Sequence, residues 1–119
     1  MNNIASMKVN IASFNEKKID GGKNNVVFYK MIIGFTKNNK QWFLEKRYSE
    51  FDALNNYLKE WYPSMPELPS KTLFKLSNQS EITTRMENLN KYMKALINRR
   101  DMRTCHAFRK FIALEEHFS

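Results

Sequence analysis

Three cationic side chains and one phenol stand where they could together hold an anion. Arg47 and Tyr48 lie where a strand-like run gives way to a helix-like one, Lys71 follows Pro69-Ser70, and Arg85 sits on a later amphipathic segment. A guanidinium offers rigid paired donors that match phosphate oxygens, and an ammonium acts as a point charge. The phenol ring beside Arg47 is a flat apolar wall. At 100° per residue, Arg85 is about 60° round from Ile82 and about 40° from Leu89, at the edge of the apolar stripe rather than on the wet back of the helix. Taken singly, each has an ordinary reading. Arg47 could be a sheet-edge ion pair, Tyr48 a core aromatic, Lys71 a solvated loop charge, and Arg85 a side chain snorkelling over apolar surface.

The elements that must position these residues change character near Tyr48. Residues 7–14 alternate, and residues 26–35 form a longer run rich in β-branched and aromatic side chains. Asp20-Gly21-Gly22 and Lys37-Asn38-Asn39-Lys40 supply turns, so residues 41–47 complete an antiparallel three-stranded sheet. After Tyr48, the apolar residues Phe51, Leu54, Leu58 and Trp61 recur at helical spacing, with Ser49 as cap and Asp52 in the first turn. Pro63 ends this helix. The spacing of Pro63, Pro66 and Pro69 then imposes an extended backbone, because each ring fixes φ and disfavours helix in the residue before it.

A second helix is expected over residues 81–98, with Ile82, Met86, Leu89, Met93, Leu96 and Ile97 as its stripe. A shorter helical stretch or pair begins near Asp101 and carries Phe108, Phe111, Ile112 and Leu114. Strands followed by helices argue for an α+β fold.

The chain has 119 residues, 42% of them apolar and 13% aromatic, with three Gly and three Pro. That supports one packed domain over residues 1–119. Twenty Lys and Arg against twelve Asp and Glu give +8, which favours a polyanionic partner: nucleic acid, an anionic membrane face or an acidic protein. Cys105 has no disulfide partner, and one Cys with His106 and His117 falls short of a four-ligand zinc site. A reducing cytosol fits best. No run approaches the roughly 20 apolar residues that span a bilayer. Asn78-Gln79-Ser80 matches a glycosylation acceptor but is read as a polar turn. Glycines only at 21, 22 and 34 leave no phosphate-cradling Gly loop. No G-x-S-x-G or H-E-x-x-H occurs, so neither an enzyme nor a cofactor is expected. Cys105 reads as a small buried residue.

The order of the pieces is more specific than any one of them. Arg47-Tyr48-Ser49-Glu50-Phe51 at a strand end, Leu68-Pro69-Ser70-Lys71 closing a proline loop, and Arg85 in a helix continuing Leu89-Asn90-Lys91-Tyr92-Met93 resemble the phox homology (PX) domain. The resemblance runs from about residue 7 to 118. It implies a three-stranded antiparallel sheet packed on three to four helices, with a phosphoinositide held between them. Carried over by position, Arg47 would grip the 3-phosphate of the inositol ring and Tyr48 would pack on the ring. Lys71 would meet the 1-phosphate, and Arg85 would hydrogen-bond the 4- and 5-hydroxyls. Ser49 stands in the site where some members have a further basic residue, which leaves one phosphate contact fewer. The ligand so implied is phosphatidylinositol 3-phosphate, and the location is peripheral to endosomal or vacuolar membranes, as a monomer.

Leu73, Phe74 and Leu76 follow Lys71 in a loop that the resemblance assigns to bilayer insertion. Burying one such side chain contributes about 1.5 to 3 kcal/mol, comparable with the headgroup contacts. The alternative is that they cap the domain's own core. Two other partners stay open: nucleic acid, on charge and aromatics, and an SH3-type domain, on proline spacing.

Overall fold

The computed structural model describes residues 6–22, 24–70 and 79–117. Three strands, β1 (Met7–Ile19), β2 (Asn24–Phe35) and β3 (Gln41–Arg47), form an antiparallel sheet in that order. Four α-helices follow: α1 (Tyr48–Trp61), α2 (Gln79–Ile97), α3 (His106–Phe111) and α4 (Leu114–His117), with a 3-10 turn at Arg100–Arg103 before α3.

Alternation decides which face of the sheet is buried. Val9 and Ile11 of β1, Tyr29, Met31 and Ile33 of β2, and Trp42 of β3 point inward and are buried. The helices complete that core with Phe51, Leu54 and Leu58 from α1, Leu89, Met93 and Leu96 from α2, and Phe108, Ile112 and Leu114 from the carboxy-terminal segment. Cys105 is buried among them. Trp42 also donates from Nε1 to the Ile112 carbonyl at 2.9 Å, tying β3 to that segment.

Several boundaries differ from the sequence reading. β1 runs to Ile19 rather than ending near Phe14, because it pairs with β2 all the way to the Asp20–Gly22 turn. Gly21 and Gly22 adopt φ of 67° and 90° there, a region side chains resist. α2 begins at Gln79, so Gln79 and Ser80 form its first turn and are not part of a polar turn; Asn78 lies outside the described residues. Ser49 does not cap α1. Arg47 holds the cap position with extended backbone, Tyr48 is the first helical residue, and the acidic residue of the first turn is Glu50, not Asp52. Trp61 is 68% exposed and belongs to no buried stripe.

α2 crosses the outer edge of β1 and satisfies its backbone. Ile11 N–H donates to Asn90 Oδ1 at 2.8 Å, and Lys94 Nζ donates to the Val9 carbonyl at 2.9 Å, just before the irregularity between Ile11 and Ser13. This pins the helix carrying Arg85 to the sheet carrying Arg47. Asn90→Ala should lower unfolding free energy by about 1 to 2 kcal/mol, since it strands a partly buried N–H. Asn90→Asp, which keeps the acceptor, should lose less; equal losses in denaturant titrations would mean that the bond contributes nothing.

Candidate functional site

The corner where β3 becomes α1 is set by its own hydrogen bonds. The Arg47 N–H donates to Glu50 Oε1 at 3.0 Å, the glutamate half of a capping box. The reciprocal half cannot form, because an arginine side chain has no acceptor. Alternation along β3 sends neighbouring cations to different tasks. Lys46 turns inward, with Nζ 4.6 Å from the centroid of the Phe111 ring and 3.9 Å from Glu50 Oε2. Arg47 is exposed, and its guanidinium has no hydrogen-bond or ion-pair partner among the described residues.

Tyr48 is half-buried and serves two neighbours at once. The Arg85 guanidinium lies 4.2 Å from its ring centroid, within the range of a cation–π contact. Its hydroxyl donates to the Pro69 carbonyl at 2.6 Å. Burial raises the Tyr48 phenol above the usual range, the Asp52 charge adds to that, and the Arg85 charge opposes it. Arg85 is itself half-buried, and its Nη2 is buried without a hydrogen-bond partner among the described residues. A desolvated guanidinium nitrogen lacking an acceptor is costly, so the position suits a group that receives one from outside.

The proline segment runs back along α1. It leaves the helix at Tyr62, whose N–H donates to the Leu58 carbonyl at 2.8 Å, and ends at Pro69 against Tyr48. The segment bends at Pro63 and Ser64, where Ser64 takes a φ of 54°, and runs on from Met65 to Pro69, so the proline spacing does not keep it extended throughout. A gap of about 570 Å³ separates Asn55 and Lys59 of α1 from residues 63–68. Arg99 holds the near end, donating to the Ser64 and Pro63 carbonyls at 2.7 and 3.0 Å while its other donors grip Asp101 at 2.6 and 2.9 Å. Hydrogen bonding from Arg99 keeps the Asp101 carboxyl below the ordinary range, so this grip persists from neutral pH downward and is lost only as pH falls through that depressed value. The carbonyls of Pro63, Ser64 and Pro69 are therefore used within the fold, and Pro66 lies midway and half-buried.

Of the residues singled out in the sequence, Tyr48 and Arg85 are in contact, Arg47 is next to them at the strand end, and Ser49 is exposed one residue into α1. Lys71, Leu73, Phe74 and Leu76 lie outside the described residues. Pro69, two residues before Lys71 in the chain, is fastened to Tyr48. The sequence reading missed Tyr29. It is fully buried on β2, and its hydroxyl has no partner in full hydrogen-bond geometry among the described residues. Strand alternation marked it for the core but carried no sign of the guanidinium near its hydroxyl.

A three-stranded sheet, an arginine-capped helix and a tethered proline segment meet at Tyr48. The chain belongs to the PX domain family, whose profile matches residues 35–115. Human Sorting nexin-16 is 31% identical over 90 residues, which cover 74% of this chain and 26% of that protein. The chain thus spans about a quarter of that relative's length. A designed CISK-PX domain superposes with a TM-score of 0.79 at 26% identity, covering 88% of this chain and 97% of that one. The mouse SNX19 PX domain, solved with a bound sulphate ion, shares the fold at a TM-score of 0.65 and 17% identity, covering 91% of this chain and 96% of that one.

Tyr48→Phe keeps the ring under Arg85 and deletes only the bond to Pro69. Because that bond contributes about 1 kcal/mol net, the backbone order parameters of Leu68 and Ser70 in nitrogen-15 relaxation should fall in the variant. Unchanged order parameters would show that the segment is held without the hydroxyl.

Proposed function

We propose that this chain, acting over residues 1–119 as one unit, binds phosphatidylinositol 3-phosphate and carries its host protein to endosomal-type membranes. The observation that carries the reading is the buried Arg85 Nη2, without a hydrogen-bond partner among the described residues, above the ring of Tyr48, the residue that follows Arg47 in the chain. Arg47 grips the 3-phosphate in a charge-assisted, two-pronged bond. Lys71 meets the phosphate joining headgroup to lipid, and Arg85 turns its free donor to the ring hydroxyls at positions 4 and 5.

One face of the Tyr48 ring is taken by Arg85, so the sugar packs against the phenol's remaining surface. Further phosphates at 4 or 5 would have to be desolvated against a guanidinium already stacked, which favours the singly phosphorylated headgroup. Ser49 supplies a hydroxyl where a further cation would have tightened the grip. Two or three charged contacts, less the cost of association, correspond to micromolar affinity. Leu73, Phe74 and Leu76 enter the bilayer as a second anchor that does not read headgroup chemistry, and the net charge of +8 draws the domain to anionic lipid.

Vesicles of neutral carrier lipid, with and without phosphatidylinositol 3-phosphate, test this reading. Arg47→Ala should weaken recruitment at least about tenfold without changing thermal stability, since it removes charged hydrogen bonds from an exposed residue. Recruitment equal to the unmodified chain, or displacement of vesicles by oligonucleotides, would overturn it. Leu73→Glu with Phe74→Glu should weaken vesicle binding more than binding to soluble headgroup; equal losses would place these residues in the domain's own packing.

A further inference from the structure

Two buried polar atoms beneath the corner have no partner in full hydrogen-bond geometry among the described residues, and they belong to side chains that act on each other. Tyr29 is fully buried on β2, paired across the sheet with Phe14 of β1 and Lys46 of β3. Its ring meets Phe51 of α1 edge-on, with centroids 6.5 Å apart, so the hydroxyl has little freedom to go elsewhere. That hydroxyl and Arg85 Nη2 are the unpartnered atoms. Burial raises the Tyr29 phenol above its usual range, and the Arg85 guanidinium opposes the rise through its charge and through side-chain hydrogen bonding, so the two groups lie within reach of each other although the contact falls short of full hydrogen-bond geometry. A phenylalanine would fill the same core space without stranding a polar atom, so the oxygen has a use beyond packing.

We infer that Tyr29 is a positioning residue for the headgroup site: its hydroxyl oxygen accepts a hydrogen bond from Arg85 when the ligand engages, and so fixes the guanidinium fork against the inositol ring. The inference rests on the phosphoinositide reading proposed above. Tyr48 supports the guanidinium from its face, which leaves the fork free to turn in its own plane. An acceptor at the inner edge removes that rotation. Selectivity should depend on it, because hydroxyls are told from phosphates by where the outward donors point.

The experiment uses soluble short-chain phosphatidylinositol 3-phosphate and its 3,5-bisphosphate analogue, with calorimetry and NMR of the arginine side chains. Tyr29→Phe should bind the monophosphate about five- to tenfold more weakly, within the range of one ordinary intramolecular hydrogen bond. The preference over the bisphosphate should narrow, and the slowed rotation of the Arg85 guanidinium in the bound protein should be lost. Binding, preference and rotation all equal to the unmodified chain would overturn the inference. If the phenylalanine variant does not fold, fluorotyrosines at position 29 keep the ring and weaken the oxygen as an acceptor. Affinity should then fall step by step with fluorination, and a flat series overturns the inference. Arg47→Ala and Arg85→Ala separate the two levels. If both bind like the unmodified chain, the headgroup site itself is wrong; if both lose binding while Tyr29→Phe does not, only the role of Tyr29 fails.

Discussion

The stacking of Arg85 on Tyr48 is the contact on which the site depends. It joins a residue from the start of α1 to one from α2, two helices separated in sequence by the whole proline segment. A cation–π contact contributes about 0.5 to 2 kcal/mol depending on its desolvation, too little to hold two helices together alone. Its geometry therefore has to be imposed by stronger packing around it. That packing is the sheet: Tyr29 and Phe51 fix the floor, and Asn90 and Lys94 bind α2 to the backbone of β1. The fold positions the pair, and the pair leaves one guanidinium nitrogen without a hydrogen-bond partner among the described residues.

The proline segment follows the same logic from the other side. Its rings stiffen the backbone, so fastening two ends defines the middle. Arg99 fastens one end through the Pro63 and Ser64 carbonyls, and Tyr48 fastens the other through Pro69. Tyr48 thus holds both the Arg85 guanidinium on its ring and the Pro69 end of the segment on its hydroxyl. In this arrangement the prolines have an internal task, which explains their spacing without requiring an SH3-type partner.

Much of this was legible in the sequence, for reasons that also explain what was not. β3 and the start of α1 were readable because the period changes abruptly at Tyr48 and a turn precedes Gln41. The far half of β1 was not, since residues 15–18 are exposed on both faces of a ribbon and alternate with nothing. Trp61 matched the helical period of its neighbours but lies past the last turn that the core covers. Ser49 looked like a cap by residue type, yet Glu50 already satisfies the Arg47 N–H and the helix starts one residue earlier. Arg85 at the stripe edge was visible from angular position alone. The hydroxyl of Tyr29 was not, because its significance lies in a neighbour contributed by a distant helix.

The most direct test of the central claim is a structure of this chain with soluble phosphatidylinositol 3-phosphate bound. The account places the 3-phosphate within hydrogen-bonding distance of the Arg47 guanidinium, the inositol ring against Tyr48, and a ring hydroxyl on a donor of Arg85. A headgroup seated elsewhere, for instance between α1 and the proline segment near Lys59, with Arg85 Nη2 still unpartnered, would contradict it.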